Sequence, residues 1–331
     1  MAVAATARPV PFETRDPAPA HTAHAARAMG GRLVIHVAAG ADLADAASRD
    51  ARRVAGRVLA WSRLLTRHDP DSPLMLLNDD PRATVPVRPT LAAALAWADD
   101  AGRMTGGLVD VTRLAERLAA ESGEGPAGAR GGPAGPAAPR TAVWRTDVDG
   151  SRGAMITRTP GTRLDLDGVG KGWIADRALR LLDRYPGAVV DADGDVAVRV
   201  APGDRWEISV ADPRGADDLL AVIVLADEPG APGRGRRTWG VATSGTSVHR
   251  FGPDAHHLID PRTGRPAATD VVQATVLASG AAVAEAFAKS AVILGSVGGL
   301  DFLDRAGVAG AILLLEDGRA LALPRTSAFL A

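Results

Sequence analysis

The sequence has no cysteine, which excludes a disulfide framework, a thiolate nucleophile and a thiolate metal site. Aromatics make up only 4 % of the chain, so its core must be built from aliphatic and small side chains. Charge of one sign is also missing. The 38 Lys and Arg stand against 39 Asp and Glu, and this balance gives no reason to expect a nucleic-acid partner. The first 25 residues lack a continuous apolar run, because their Ala and Pro are interrupted by charge. Neither a signal peptide nor a membrane span is therefore expected, and the chain is placed in the cytoplasm.

What is present suits a globular body: 331 residues, 46 % of them apolar, with Gly and Ala throughout. Residues 1–27 read as a flexible tail and 28–331 as a single domain. The Gly/Pro/Ala-rich run at 121–140 interrupts that domain as a surface loop. A strand is expected at 32–37. An amphipathic helix follows at 45–65, with Val54, Val58, Trp61 and Leu65 on one face. Arg67 to Asn78 carries Pro70 and Pro73 and reads as a turn, and Thr90 as the cap of a helix ending near Gly102. Past the loop, strand-like runs at 141–146, 152–158, 187–191, 195–200, 205–211 and 219–226 point to an α+β fold with antiparallel sheet. Gly233 to Arg237 is a basic loop without interleaved aromatics, better read as solvated than as nucleic-acid binding.

The most informative stretch runs from Arg163 to Arg177. Leu164 and Leu166 alternate with Asp165 and Asp167 as in a half-buried strand, which makes 152–166 a hairpin. The chain then turns through Gly168, Gly170 and Gly172 into a helix carrying Ile174, Ala178 and Leu182. Strand, glycine turn and helix can aim free N–H groups at an anion, and Lys171 adds a point charge there. The same residues also suit an ordinary tight connection, because the spacing of a phosphate-binding P-loop is absent.

Three later segments could carry chemistry. Val241 to Ser247 gathers hydroxyls around Gly245, where they could hold a phosphate or a flavin edge, or only form a turn. His256 to Gly264 offers two imidazoles, a carboxylate and a guanidinium. His257 and Asp260 could pair as base and orienter and Arg262 could meet a phosphate, although Asp-Pro-Arg-Thr-Gly is also a good structural turn. Finally, Ser279 to Leu294 reads as a small-residue helix. It carries Glu285 and Lys289 at i,i+4 on an otherwise apolar segment.

Taken in order, these segments resemble the ApbE family, the FAD:protein FMN transferases. The likeness runs from about residue 28 to 305 and rests on Met29-Gly30, Ser62 to Asn78, Gly106 to Thr112, Asp165 to Ala178, Asp191 to Asp195, Ala242 to Gly245, His257 to Gly264 and Ala284 to Gly295. The resemblance implies a T-fold-like α+β fold with packed helices. It also implies bound FAD and a Mg²⁺-assisted transfer of FMN to a Thr or Ser of a client protein, with release of AMP. It places Met29, Gly30, Asp110, Val169, Gly170, Lys171, Gly172, Trp173, Asp195, Thr243, Ser244, Gly245, His257 and Arg262 around the FAD. His257, Asp260 and Lys289 become the catalytic candidates, and Glu285 the candidate metal ligand.

The chain departs from the family pattern at several of these positions. Glu285 and Lys289 stand where the family has Asp and Thr as Mg²⁺ ligands, and an ammonium argues against a full metal site. That ammonium could instead neutralise the pyrophosphate, or pair inertly with Glu285. Asp193 replaces a glycine, Trp173 a tyrosine and Pro73 a glutamate. Beside the transferase reading stand two others: an FAD-binding relative without transferase activity, and a structural or regulatory protein that keeps only the fold.

Overall fold

The computed structural model describes residues 5–9, 20–123, 144–149, 153–215, 218–227, 238–247, 250–251 and 256–331. The chain runs through β1 (Ala5–Pro9), β2 (Ala20–Ala28), β3 (Gly31–Ala39), α1 (Ala44–Leu65), α2 (Pro73–Asp79), β4 (Thr84–Val87), α3 (Pro89–Met104), α4 (Leu114–Ser122), β5 (Trp144–Asp149) and β6 (Gly153–Arg158). It continues through α5 (Gly170–Arg180), β7 (Gly187–Ala192), β8 (Asp195–Arg199), β9 (Arg205–Ala211), β10 (Leu219–Ala226), β11 (Trp239–Gly245), β12 (Ile259–Asp260), β13 (Arg265–Pro266), β14 (Val271–Ala278), α6 (Ala281–Arg305), β15 (Gly310–Leu315) and β16 (Ala320–Ala322).

An eight-stranded sheet organises the fold, in the order β16-β15-β14-β11-β8-β7-β3-β2, with every neighbouring pair antiparallel. Its centre is covered on both faces, so β7 and β8 are buried at every position and read as unbroken apolar runs apart from Asp191, Asp195 and Arg199. On one face lie α1, α5 and α6. The other face packs Val189, Val196 and Val198 against Trp206, Ile208 and Ile223 of the small β1-β9-β10 sheet. The fold is therefore α+β with antiparallel sheets, as the run of strands implies.

Several local expectations are corrected. Residues 20–27, placed in the tail, belong to β2 (Ala20–Ala28), which pairs residue for residue with β3 inside the main sheet, and Ala5–Pro9 pairs with β9. Arg67 to Asn78 is not all turn. Pro73 occupies the first position of α2, where its missing N–H is harmless, and the Ser72 hydroxyl accepts the Met75 amide at 3.1 Å. The same use of proline starts α3 at Pro89, leaving Thr90 inside its first turn. Residues 163–167 join no sheet, and β6 pairs with β4 and β5 instead. Of the expected loop, Glu121 and Ser122 close α4, and 124–140 lie outside the described residues, as do 233–237. The helix α6 is long and apolar enough to cross a membrane, but it is kinked at Gly295 (φ 76°) and packs on β11 and β14 as a core helix.

Candidate functional site

Two tight turns form one end of the main sheet. Met29 (φ 54°) and Gly30 (φ 80°) link β2 to β3, and Asp193 (φ 59°) and Gly194 (φ 94°) link β7 to β8. Two successive positive φ values are what a two-residue hairpin needs, and Asp-Gly is a favoured solution. Asp193 is therefore an ordinary hairpin residue, and its carboxylate reaches the neighbouring turn to accept the Arg32 amide at 3.1 Å. The β11–β8 register sets Val241 opposite Val196. Thr243 to Gly245 thus extend β11 toward the same end of the sheet. Thr243 shares a hydroxyl contact of 2.9 Å with Thr275.

The glycine turn brings α5 to this end. Lys171, in its first turn, pairs with the buried carboxylate of Asp195 at 3.3 Å and reaches the Asp193 carbonyl at 3.5 Å. Burial disfavours the Lys171 charge, but Asp195, Glu285 and Asp193 outweigh it and raise its pKa. Burial pushes Asp195 up, against the pull of Lys171. The turn does not leave all its amides open. Gly172 N–H donates to Glu285 Oε2 at 3.0 Å, so a carboxylate from α6 already fills part of the anion-binding end of α5. The helices touch closely there, since a Cβ on Gly172 would stand 2.5 Å from the Ala281 carbonyl oxygen. Asp176 of α5 returns the contact, accepting the Ala281 and Ala282 amides at 2.9 and 3.0 Å.

Beside the α5 terminus lies a narrow cleft of about 50 Å³, lined by Asp110, Arg113, Arg117, Asp165, Gly168, Val169, His257 and Lys289. That is well below the ~300 Å³ of an ordinary ligand pocket. It has room for a phosphate-sized group, while a dinucleotide would have to extend over the open sheet end. A larger cleft of about 550 Å³ between α2 and β4 contains none of the expected site residues except the departure Pro73. The smaller cleft is the better candidate because the chemistry-bearing side chains converge there.

Most of the cations around it are committed to carboxylates. Arg117 holds Asp165 at 3.0 Å, Asp167 at 3.1 Å and Glu121 at 3.0 Å, while Arg67 holds Asp167 at 2.9 Å and Glu121 at 2.5 Å. Arg113 spans Asp110 and Glu116, at 3.1 and 2.9 Å. Burial and the Asp167 charge raise the pKa of Asp165. Asp167 is lowered despite its burial, by His68 and by the two arginines. This Arg67/Arg117 network was not anticipated from the sequence; the i,i+4 spacing of Arg117 and Glu121 was its only local signal.

The structure separates other expected partners. Both oxygens of Asp260 are taken by Arg262, whose Nε and Nη2 lie at 2.9 and 2.7 Å, and Nη2 also reaches the Ile293 carbonyl. Asp260 therefore serves the turn rather than standing open to orient His257, and Arg262 is not an open phosphate ligand. The Trp173 ring is in the core, edge-on to Trp61 at 6.4 Å and beneath the Arg177 guanidinium at 4.5 Å. Asp110 lines the cleft, but its carboxylate is occupied by Thr112 and Arg113. His256 is buried, bonded to the Ala267 carbonyl at 3.1 Å, and burial lowers its pKa.

The residues at the implied Mg²⁺ position do not fit that ion. Glu285 spends one oxygen on Gly172, and burial, with Asp195 next, pushes its pKa up to about 8. Lys289 brings an ammonium to the cleft. Among the described residues no group of three or more His, Asp or Glu is placed to hold a metal. Mg²⁺ demands a compact set of oxygen ligands, which this donor set does not supply.

The model of the ApbE family matches residues 29–313. A relative from Escherichia coli, an FAD:protein FMN transferase, is 26 % identical over 268 residues, 76 % of this chain and 72 % of its own. One from Treponema pallidum, of the same name, is 33 % identical over 150 residues, 41 % of this chain and 39 % of its own, and the match to the Salmonella typhimurium relative likewise spans under half of that protein. Among solved structures, the ApbE protein of Thermotoga maritima superposes with a TM-score of 0.73 at 22 % identity, over 94 % of this chain and all of that one. The flavin transferase ApbE of Vibrio cholerae gives 0.70 at 20 %, over the same shares. At these identities the two structures establish a shared fold.

Proposed function

The chain belongs to the ApbE family, and we propose that it transfers FMN from FAD to a Thr or Ser hydroxyl of a client protein, releasing AMP. The observation that carries this reading is the convergence of His257 and Lys289 on one phosphate-sized cleft at the N-terminal end of α5. An imidazole suits removal of a hydroxyl proton near neutral pH, and a cation beside it suits a pyrophosphate.

In the proposed reaction the acceptor oxygen bonds to the phosphorus on the FMN side. The bond from that phosphorus to the bridging oxygen breaks, and AMP leaves with the electron pair. His257 takes the acceptor's proton. The adjoining sheet end supports the reading with Met29-Gly30, Lys171-Asp195 and Thr243 to Gly245, a surface along which the rest of the dinucleotide can lie. Lys171 is held by Asp195 and shapes the turn between the cleft and that surface.

Mass spectrometry of a Thr-bearing acceptor protein incubated with FAD and this chain tests the proposal. The acceptor gains the mass of FMN less water, and H257A slows that gain by about 100-fold or more while FAD affinity changes little. FAD binding with an acceptor that stays unmodified would instead support the FAD-binding, non-transferring alternative, which the departure at Glu285 and Lys289 keeps in view.

A further inference from the structure

We infer that the Lys289 ammonium is the cation this site presents to the substrate pyrophosphate, in the place a divalent metal would otherwise hold. The inference rests on the flavin-transferase reading and adds to it that the site carries its own charge.

The first observation is that Lys289 is the cleft cation without a direct carboxylate partner among the described residues. Lys171 is paired with Asp195, and Arg113 and Arg117 with carboxylates of their own. No hydrogen bond or ion pair holds Lys289 among the described residues; burial lowers its pKa, and the nearby charges of Glu285, Asp165 and Asp167 offset that only in part. Its i,i+4 neighbour Glu285 gives one oxygen to the Gly172 amide and acts on Lys289 through its charge alone, without a direct ion pair.

The second observation is that the fold makes room for this ammonium at the cleft. Gly168 lines the cleft, and a Cβ built on it would overlap Lys289 Nζ. Burying a charge without a direct partner is costly, and on this largely apolar helix burial lowers the Lys289 pKa. A ligand bearing negative charge would offset that cost. As the bridging oxygen departs with AMP, negative charge grows on the leaving phosphate, and a fixed ammonium stabilises it without a metal to be recruited. A divalent cation and this ammonium in one small cleft would repel each other.

Calorimetry on the full chain tests this with FAD and with riboflavin, which has no phosphate, in EDTA and again in excess Mg²⁺. The parent is expected to bind FAD equally in both. K289M is expected to weaken FAD roughly 10- to 100-fold, leave riboflavin unchanged and raise the melting temperature of the free protein, because a group whose charge is disfavoured by burial has been removed. G168A keeps the ammonium but displaces it, and is expected to weaken FAD selectively, which covers the case in which K289M fails to fold. FAD binding by the parent that requires Mg²⁺, or by folded K289M at parental strength, overturns the inference and leaves the transferase reading standing. Absence of FAD binding by the parent in both buffers overturns the two together.

Discussion

Glu285 of α6 accepts the Gly172 amide of α5 at 3.0 Å, and Asp176 of α5 accepts the first two amides of α6 at 2.9 and 3.0 Å. Each helix thus caps the other. The exchange fixes their relative position, and with it the distance from the glycine turn to Lys289. D176A strands two helix-terminal amides and should lower stability by about 1–2 kcal/mol. E285A should cost about 1–3 kcal/mol, because the buried amide of Gly172 loses its partner, whereas E285Q keeps a carbonyl oxygen there and should stay near the parent. Urea unfolding of the three variants checks the order. An E285A midpoint equal to that of E285Q would remove the capping role.

Asn78 performs a comparable service over a longer span. Its amide nitrogen donates to the Leu164 carbonyl at 2.9 Å, and its oxygen accepts the Leu164 amide at 2.7 Å. Residues 163–167 belong to no sheet, so this reciprocal pair replaces the ladder that a strand would have. N78A should destabilise the protein by about 2–4 kcal/mol, with two buried backbone groups left unpaired. N78D can still accept but cannot donate, and should fall between. Hydrogen exchange at the Leu164 amide provides the local readout. Unchanged protection in N78A would contradict the assignment.

Stability should depend on His36. Burial, aided by the charges of His21 and Arg32, lowers its pKa to about 4, and its ring stands edge-on to Trp206 at 5.3 Å. Between about pH 4 and 6.5 the folded protein holds fewer protons here than the unfolded chain. The His36 contribution to stability is therefore full above pH 6.5 and declines as pH falls through that window, by up to about 3 kcal/mol. H36Q carries no titrating group and should melt with a shallower pH dependence. Parallel curves for H36Q and the parent would rule His36 out as the source.

Much of this architecture was legible in the sequence where local period and tertiary structure agree. The glycine turn into α5, the amphipathic α1 and the strands from β5 to β10 are examples. The errors arose where one residue type serves two purposes. Pro73 reads as part of a turn, yet it starts a helix, and Thr90 reads as a cap although Pro89 opens that helix. Asp193 read as a loss of glycine, yet it makes a hairpin. Arg262 and Asp260 suit a phosphate and a base by type, but their spacing of two lets them satisfy each other. Contacts such as Gly172 with Glu285 join residues that no local pattern relates. The site's elements were identifiable individually, while the commitments among its charges belong to the folded chain.

The proposed function has this chain break the FAD pyrophosphate in order to attach FMN to a protein hydroxyl. Its most direct test is to measure AMP released and FMN covalently bound in one reaction containing FAD, the chain and a Thr-bearing acceptor. A ratio near one, with both products absent when the acceptor threonine is replaced by valine, is the predicted result. AMP formed without labelled acceptor would mark a hydrolase, and neither product from a protein that binds FAD would contradict transfer altogether.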